Sequence, residues 1–510
     1  MKITLINPPW YVSERQFLEK RNLSQCLGLG YIASYLRLHG HSVDFIDALA
    51  EGSDTIKKVY HRDQPLLCRG ISYENITDRI ARDTDLIGIS IPFTNISTIA
   101  KQLCLFIKNK YPSKPIVVGG VHPSAFPVDM LDSGVDYVVR GEGELSMLAL
   151  ACGKDPTKIR GLIHKGNIGS SNNDISEQVE NLDAIPFPYR PPELMEQYLS
   201  YSPRGEQGKR SLSVITSRGC PYDCLFCSVH PVYGYKWRAR TPKNVLEEIA
   251  YYVSNYGVNN IEFEDDNLTL DAYRAEEIFD RIINLDKKIT WAVNNGLRVD
   301  TLSERLIEKM KKSGCIQLNL AVESGNQKVL ESMHKKLSLA KVEEVVEMCS
   351  KIKIPTLAFF LVGFPGETKE SFSETVRFIR KLKKKGLNKI GVMIINAYPG
   401  TGLYKYCQNK GYLVKDIDEH IFVDSDYVSV ITEDFDERLV INWRDELYGI
   451  FHPFRWHMKE LVKRLLPNLF FKRFISLYRK IRNIGLKLNP KLLFTRGTVK
   501  YEDNAGIPKI

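Results

Sequence analysis

The stretch SRGCPYDCLFC, residues 217–227, contains three cysteines within eight positions: Cys220, Cys224 and Cys227. Thiolates at this spacing can hold a metal, and an iron–sulfur cluster tolerates one iron that is left open for an outside ligand. Zinc with His230 as a fourth ligand is an alternative, as are three inert cysteines. Structural zinc, however, more often joins two separated ligand pairs, and the chain has no second CxxC or HxxxH pair. The stretch therefore predicts an iron–sulfur cluster.

The cysteine stretch ends the first of six apolar runs that alternate with helical stretches between residues 205 and 410. This alternation is typical of parallel β/α units, and six such units predict a partial (β/α)6 barrel. The chemistry of such a barrel lies at the carboxyl ends of its strands, where the three cysteines fall. The six runs are SVITSRG, NNIEFEDD, KITWAVNN, IQLNLAVE, TLAFFLVGF and KIGVMIINAY.

The first 150 residues show a second series of alternating strands and helices. Five apolar runs bounded by Gly, Pro or Asp predict a doubly wound parallel sheet, and ligands of such sheets bind outside the carboxyl ends of the strands. The runs are KITLINPP, SVDFIDA, DLIGISIPF, KPIVVGG and DYVVRGEGE. The candidate binding residues at their ends are Asn7, Pro8, Ser90, Gly119, Gly120 and Glu142.

The remaining segments are a linker and a basic tail. Residues 151–204 include the polar stretch GNIGSSNNDISEQ and the proline-rich stretch IPFPYRPPE, which predict a linker with an extended second half. Residues 411–510 are predicted to be mainly helical. Between positions 452 and 500 they carry thirteen Lys and Arg against one acid, Glu460. Such a pattern suits a packing helix or a membrane surface, and no nucleic-acid-binding module accompanies it.

Composition places the chain in the ordinary globular class, with 43% hydrophobic and 26% charged residues in 510. The start, MKITLINPPW, does not resemble a secretory signal, and no apolar stretch approaches the length of a spanning helix. We therefore predict a cytoplasmic protein, with peripheral membrane contact through the tail as an alternative. The seven scattered cysteines are predicted to be small core residues: Cys26, Cys68, Cys104, Cys152, Cys315, Cys349 and Cys407.

The spacing CxxxCxΦC, with Phe226 before the last cysteine, resembles the signature of the radical S-adenosylmethionine (SAM) superfamily. The resemblance covers roughly residues 205–410. It implies that the three thiolates hold a [4Fe–4S] cluster whose fourth iron is chelated by SAM. Three further strand ends resemble positions of the same family. Together with the motif, which includes Phe226, they imply a set of SAM contacts. These are Phe226, Asp265 or Asp266 in EDDN near the amino nitrogen, Glu323 in ESG near the ribose, and Gly363 and Gly366 in GFPGE, the turn expected near adenine.

The N-terminal region resembles the cobalamin-binding domain of cobalamin-dependent radical SAM enzymes. The resemblance rests on residues 27–48, on VGGVHPSAFP (118–127) and on RGEGE (140–144), and it implies that the candidate residues at the sheet edge bind cobalamin. A nucleotide-type or purely structural fold is the alternative. The chain lacks the D-x-H-x-x-G motif, which implies a lower cobalt face without a histidine ligand. We expect Trp10 or Tyr11 to crowd that face, and His39, His41 and His122 to lie at the surface or in supporting positions.

The two resemblances together imply an enzyme that cleaves SAM to a 5′-deoxyadenosyl radical. Cobalamin is expected to carry a methyl group to an unactivated carbon of a small-molecule or lipid-like substrate. The cluster requires an external electron donor such as flavodoxin or ferredoxin. A cyclase similar to the anaerobic magnesium-protoporphyrin ester cyclase, or a ring-rearranging enzyme, is the alternative. A cobalamin-binding sensor or electron carrier with a vestigial barrel is a more distant one.

Overall fold

The computed structural model describes residues 1–12, 25–61, 64–169, 174–200, 209–414, 427–452 and 500–501. In the N-terminal region the strands are β1 (Lys2–Asn7), β2 (Trp10–Val12), β3 (Ser42–Asp47), β4 (Thr55–His61), β5 (Gln64–Arg69), β6 (Leu86–Ser90), β7 (Ile116–Gly119), β8 (Tyr137–Val139) and β9 (Leu162–Ile163). The helices are α1 (Leu27–Leu38), α2 (Ala48–Glu51), α3 (Tyr73–Asp78), α4 (Ser97–Lys110), α5 (Val121–Ala125), α6 (Val128–Leu131), α7 (Glu144–Ala151) and α8 (Met195–Ser200).

In the remainder of the chain the strands are β10 (Ser211–Val214), β11 (Ser217–Arg218), β12 (Arg238–Ala239), β13 (Asn260–Phe263), β14 (Thr290–Val293), β15 (Leu318–Glu323), β16 (Thr356–Val362), β17 (Lys389–Ile394) and β18 (Lys500–Tyr501). The helices are α9 (His230–Tyr233), α10 (Pro242–Tyr256), α11 (Ala272–Ile283), α12 (Glu304–Lys312), α13 (Gln327–Ser332), α14 (Leu339–Ile352), α15 (Lys369–Lys385), α16 (Gly402–Lys410) and α17 (Glu437–Phe451). Short 3-10 turns lie at residues 94–96, 156–158, 182–184, 192–194 and 299–301.

The N-terminal sheet has the strand order β3-β1-β6-β7-β8-β9. The first five strands are parallel, and β9 pairs antiparallel with β8. Their near-continuous apolar sequences fit strands that are covered on both faces. Ile3 and Leu5 in β1 are fully buried, and Leu29 and Leu36 of α1 join the same core cluster. The predicted doubly wound sheet is confirmed.

A second, smaller sheet was not predicted from the sequence. Strands β2, β4 and β5 pair antiparallel, and β18 pairs with β4. Its register sets Trp10 opposite Arg69. The Arg69 side chain is fully buried and donates from Nε to the carbonyl oxygen of Ser53 at 2.7 Å. This small sheet holds Trp10 beside the carboxyl ends of the main sheet.

The six predicted barrel strands are all present and parallel. Two sheets, β10-β13-β14 and β15-β16-β17, meet through single bridges from Trp291 to Cys315 and from Leu297 to Leu320. The fold is therefore the predicted partial (β/α)6 barrel. The hairpin of β11 and β12, whose two strands flank the three cysteines in the sequence, was not predicted.

The segment predicted as a linker has more structure than the sequence suggested. β9 extends the N-terminal sheet, and α8 packs near β10 of the barrel. Arg190 in the proline-rich stretch is buried and pairs with Glu248 at 3.3 Å. These buried contacts join both domains, so the segment is part of the folded body.

Part of the predicted basic helical tail can be described. α17 packs on the barrel, where Trp443 stacks on Phe372 with ring centroids 4.8 Å apart. Residues 453–499, which carry the basic pattern, lie outside the described residues. No helix in the described ranges is both long and apolar enough to cross a bilayer. One cysteine prediction was wrong: Cys152 is exposed, because it follows the last turn of α7 at the surface.

Candidate active site

The three cysteines lie in the loop that follows the short strand β11, at the carboxyl end of the first barrel strand. The loop is tight: the Cys227 amide donates to the Cys224 carbonyl oxygen at 3.1 Å. Gly219 starts the turn at φ +86°, and a Cβ at this position would lie 2.3 Å from the Lys236 carbonyl oxygen. Only glycine therefore fits at this position, directly before Cys220.

The donor set of the loop suits an iron–sulfur cluster. Burial raises the pKa of Cys224, an effect that Lys335 and Arg298 partly offset, and burial raises the pKa of Cys227 to about 12. The nearby Cys220 also raises the pKa of each of these two thiols. The three sulfurs are therefore close enough to interact electrostatically. Thiolates there need a positive partner, which the irons of a cluster provide. The three soft donors on one loop fit that group.

The zinc alternative finds no support in the position of His230. Its ring stacks on Tyr235, with centroids 4.1 Å apart and an interplanar angle of 22°. Among the described residues, no three or more His, Cys, Asp or Glu side chains are arranged so as to hold a single metal ion. The assignment of an iron–sulfur cluster therefore rests on the three thiols of the loop and not on a set of ligands arranged around one metal ion.

Asp265 and Asp266 both contact the cysteine loop, but in different ways. Asp265 is buried and accepts hydrogen bonds from Thr216 Oγ1 at 2.7 Å and Ser217 Oγ at 2.5 Å. Burial raises its pKa. Asp266 is half-buried and accepts from the Gly219 amide at 3.1 Å, and burial raises its pKa to about 6. Asp265 is thus committed to holding the loop, which leaves Asp266 as the better candidate for a SAM contact.

Glu323 ends β15 in a strained conformation. Its φ is +73°, which is uncommon outside glycine, and the pairing of β15 with β16 shifts register at this point. Its carboxylate accepts from Lys335 Nζ at 2.8 Å, and both side chains are buried. Sequence analysis missed Lys335, which follows the α13 helix in the phrase MHKK.

The predicted adenine turn is held by a buried carboxyl group. Gly363 and Gly366 have φ values of +85° and +88°, so both positions favour glycine. Glu367 accepts from the Gly363 amide at 2.8 Å, and burial raises its pKa to about 7. Phe226 is half-buried and packs against the barrel core. These residues stand around the carboxyl end of the barrel.

A cavity of about 340 Å³ lies between the carboxyl edge of the N-terminal sheet and the barrel. Ser90, Gly119, Gly120 and Glu142 line it, as predicted residues of the sheet edge. The barrel contributes Ile215, Arg218, Val232, Tyr233 and Glu264. Two predicted residues are not in the wall: Pro8, and Asn7, which is fully buried and donates to Asp47 Oδ1 at 2.8 Å. Asn7 therefore supports the strand end and does not face the cavity.

The cavity wall suits a large planar cofactor. Gly28 lies in the wall, and a Cβ there would meet no atom within 4 Å, so the position is open to a ligand. At Gly119 an added Cβ would have its nearest neighbour at 3.7 Å. Backbone without side chains allows close approach of a macrocycle, and most other wall residues are apolar. The corrin of cobalamin fits this wall.

Trp10 lies in the same wall, whereas the histidines do not. Its ring packs edge to face on Phe93 with centroids 5.5 Å apart, and its indole Nε1 finds no hydrogen-bond partner within the described part of the chain. Tyr11 is buried outside the wall. His122 is buried and donates from Nε2 to Asp129 at 3.0 Å, a supporting position as predicted.

Four charged residues that sequence analysis did not connect join the two domains at this cavity. Arg218 and Arg238 of the barrel hairpin pair with Glu142 and Glu144 of the N-terminal domain. The available signal was the place of Arg218 in the phrase SRGC and of Glu142 and Glu144 in the phrase RGEGE.

Comparison with known proteins agrees with this division. Residues 22–151 match the family described as B12 binding domain, and residues 214–400 match the Radical SAM superfamily. An uncharacterised methyltransferase of Pyrococcus horikoshii is 31% identical over 80% of this chain and 83% of its own length. Cytidylyl-2-hydroxyethylphosphonate methyltransferase of Streptomyces wedmorensis is 27% identical over 81% and 82%.

Among solved structures, the radical SAM methyltransferase TsrM of Kitasatospora setae, determined with cobalamin and a [4Fe–4S] cluster, is similar in fold. The TM-score is 0.62 at 17% identity, over 81% of this chain and 79% of TsrM. These matches agree with the cysteine loop, the polar strand ends around it and the cavity at the sheet edge. The chain is therefore a member of the cobalamin-dependent radical SAM enzymes, whose cofactors are a [4Fe–4S] cluster, SAM and cobalamin.

Proposed function

We propose that the protein is a C-methyltransferase that methylates an unactivated carbon of a small-molecule or lipid-like substrate. The observation that carries this proposal is the shared wall of the cavity. Gly119 and Gly120 face it from the N-terminal sheet, and Arg218 faces it from the barrel, two residues before the first cysteine of the cluster loop. A substrate between the domains would reach both cofactors. The methyltransferase names of the two similar proteins support the same conclusion.

The roles of the residues follow from their positions. Cys220, Cys224 and Cys227 would hold the cluster, and Asp266 and Glu323 would orient SAM. When bound, the cluster with SAM supplies a hydrogen-abstracting radical and cobalamin supplies a methyl group. The largely apolar cavity wall would help a bound substrate to displace water, which a reactive site of this kind requires. No side chain is needed as a general acid or base in this scheme.

We further propose that an acidic electron donor, such as flavodoxin or ferredoxin, docks beside Cys224. The Cys224 thiol lies 3.8 Å from the His334 carbonyl oxygen, so the loop 333–337 lies next to this cysteine. The Lys336 side chain is 65% exposed on this loop, and His334 is partly exposed next to it. Basic side chains near a redox centre raise the encounter rate with an acidic partner.

For the basic segment after residue 452 we propose contact with an anionic membrane surface, which would give access to a lipid-like substrate. Support comes from its thirteen basic residues interleaved with aromatic and aliphatic ones. The lipid headgroups supply the opposite charge, and the apolar side chains supply burial.

The experiment that tests the methyltransferase proposal is anaerobic reconstitution with iron, sulfide and hydroxocobalamin, followed by incubation with dithionite as the reductant and SAM bearing a deuterated methyl group. Mass spectrometry then follows 5′-deoxyadenosine, S-adenosylhomocysteine and labelled lipids or metabolites. We expect both nucleoside products and a labelled acceptor, all dependent on cobalamin. Deoxyadenosine without S-adenosylhomocysteine would instead indicate a ring-forming or rearranging enzyme.

Matched cysteine variants control for protein quality in this assay. Cys224→Ser removes a cluster ligand and should abolish bound iron and both products. Cys152→Ser changes an exposed cysteine outside the site and should behave as the unaltered protein. Full activity in Cys224→Ser would overturn the assignment of the cluster loop.

A further inference from the structure

A buried network of ion pairs crosses from the barrel to the N-terminal domain at the cavity. Arg218 on β11 contacts two carboxylates: Glu142 at 3.3 Å from Nη1 and Glu144 at 2.8 Å from Nη2. The three side chains are between 3% and 7% exposed. One guanidinium therefore clamps two acids of the other domain, using two different nitrogens.

A second arginine strengthens the same clamp. Arg238 on β12 is the register partner of Arg218, and its Nη1 lies 3.3 Å from Glu142 Oε2. Its Nη2 donates to the other oxygen of Glu142. Both carboxylate oxygens of Glu142 are thus engaged by the barrel hairpin. Glu142, which lines the cavity and is predicted to bind cobalamin, therefore also ties the two domains together.

The clamp stands between the cavity and the cluster loop. Glu142, Glu144 and Arg218 all line the cavity, and the Arg218 guanidinium lies 4.9 Å from the ring centroid of Tyr31, another wall residue. On the other side, Cys220 follows Arg218 by two residues. A displacement of the hairpin relative to Glu142 and Glu144 would therefore change the distance from the corrin cavity to the cluster loop.

Stability alone is a weak reason for such a network. A buried ion pair gains little over apolar side chains of similar volume, because desolvation offsets the attraction. A planar guanidinium that binds two carboxylates through two different nitrogens does, however, fix the orientation of the barrel hairpin relative to the N-terminal domain. A lysine cannot reproduce this, because its ammonium group is a single point of contact. The chemistry proposed for this site needs a methyl donor and a radical source to address one substrate carbon. A fixed separation of the two cofactor sites is therefore a functional requirement.

We propose that Arg218 is a positioning residue that sets the separation and orientation of the cobalamin cavity relative to the cluster loop. The consequence for methyl transfer rests on the proposed function, whereas the geometric part does not. Loss of the clamp uncouples the two cofactors: SAM is still cleaved, but less of that cleavage leads to a methylated product.

The test uses the full-length protein loaded with cluster and cobalamin, in the unaltered form and as Arg218→Met. The first readout is electron paramagnetic resonance of cob(II)alamin, whose relaxation is enhanced by a nearby reduced cluster. The second is the ratio of 5′-deoxyadenosine to methylated product. In Arg218→Met we expect normal iron and cobalamin content, loss of relaxation enhancement, and a ratio raised on the order of tenfold to a hundredfold.

Arg240→Met is the matched control. Arg240 pairs with Glu248 at 2.6 Å and is equally buried, but this pair lies within the barrel, and Glu248 keeps Arg190 as a partner. We expect both readouts to stay at the values of the unaltered protein. A change as large as in Arg218→Met would show that any buried charge loss has this effect, and would overturn the proposal.

Two further variants keep the test decisive if Arg218→Met fails to fold. The exchange Arg218→Glu with Glu144→Arg retains one pair across the interface and should recover part of the relaxation enhancement. Arg218→Lys keeps the charge without the fork, and we expect it to raise the product ratio. Normal readouts in Arg218→Lys or in folded Arg218→Met would overturn the proposal. The relaxation readout remains valid if no methylated product forms, so failure of the proposed function is distinguishable.

Discussion

At the scale of single residues, Glu367 couples the adenine turn to pH. Its folded-state pKa of about 7 lies above the ordinary 4.5 because the carboxyl group is buried. Below pH 4.5 it is protonated in both folded and unfolded chains. Between pH 4.5 and 7 only the unfolded chain ionises, so the contribution of Glu367 to stability is lost as the pH rises through this window.

We therefore predict that Glu367→Gln gains stability relative to the unaltered protein as the pH rises. The difference in free energy of unfolding should shift by up to about 3 kcal/mol in favour of the glutamine between pH 5 and pH 8. Urea unfolding of both proteins at four pH values measures this difference. Parallel pH profiles would show that Glu367 ionises normally in the fold.

Trp10 carries a second prediction at this scale. Trp10→Ala should change the visible absorption spectrum of bound cobalamin, because the indole lines the cavity and would crowd one face of the cobalt. Tyr11→Phe is the control, since Tyr11 lies outside the wall, and its spectrum should match that of the unaltered protein. An unchanged spectrum in Trp10→Ala would remove the crowding hypothesis.

Sequence analysis could assign residues whose partners are close in the sequence, but not residues whose partners are distant. The cysteines were readable because ligand spacing within one loop is local. The role of Glu142 in joining the two domains could not be read from the sequence. Its partners, Arg218 and Arg238, lie more than seventy positions away and are brought close only by domain packing. Asn7 sits at a strand end like its predicted neighbours, but its side chain turns to Asp47 inside the fold.

At the scale of elements, buried parallel strands were predicted and small antiparallel ones were not. A strand covered on both faces is a continuous apolar run, as in β1 or β16, and such a run is visible in the sequence. Strand β4 contains Lys57 and Lys58 in succession, which interrupt both the apolar run and a two-residue period. The two-residue strands β11 and β12 have no period at all.

The end of β15 gives a prediction about a buried ion pair. Lys335→Met leaves the Glu323 carboxylate buried without its partner, and we expect a loss of about 3–5 kcal/mol in unfolding free energy. The double variant Glu323→Gln with Lys335→Met should recover much of this loss. Lys381→Met breaks an exposed pair with Glu343 and should cost under about 1 kcal/mol. Equal losses in the single and double variants would contradict a specific pairing.

The loop 333–337 gives a prediction about electron transfer. Lys336→Glu should slow reduction of the cluster by flavodoxin on the order of tenfold at low ionic strength, and the difference should shrink as salt is added. Lys287→Glu is the control, because Lys287 is exposed before β14, at the opposite end of the barrel strands. Stopped-flow absorbance of the cluster measures the rate. Equal slowing in both variants would indicate a general charge effect.

At the scale of the whole molecule, the net charge of +10 resides in the last part of the chain. Deletion of residues 452–510 should abolish sedimentation with vesicles that contain anionic phospholipid, and neutral vesicles should bind neither form. The purified truncated chain must keep its cluster and cobalamin for the comparison to hold. Unchanged sedimentation after the deletion would exclude the proposed membrane contact.

The division of the cavity wall between two domains also constrains how such enzymes can be recombined. A chimaera that takes its N-terminal half from one relative and its barrel from another would inherit the cluster loop intact but would build the cavity wall from two parents. It would also combine Glu142 and Glu144 from one parent with Arg218 and Arg238 from the other, and these two pairs were never selected together. We expect productive hybrids to be those in which residues 142, 144, 218 and 238 are transplanted as a set, whatever the overall similarity of the parents.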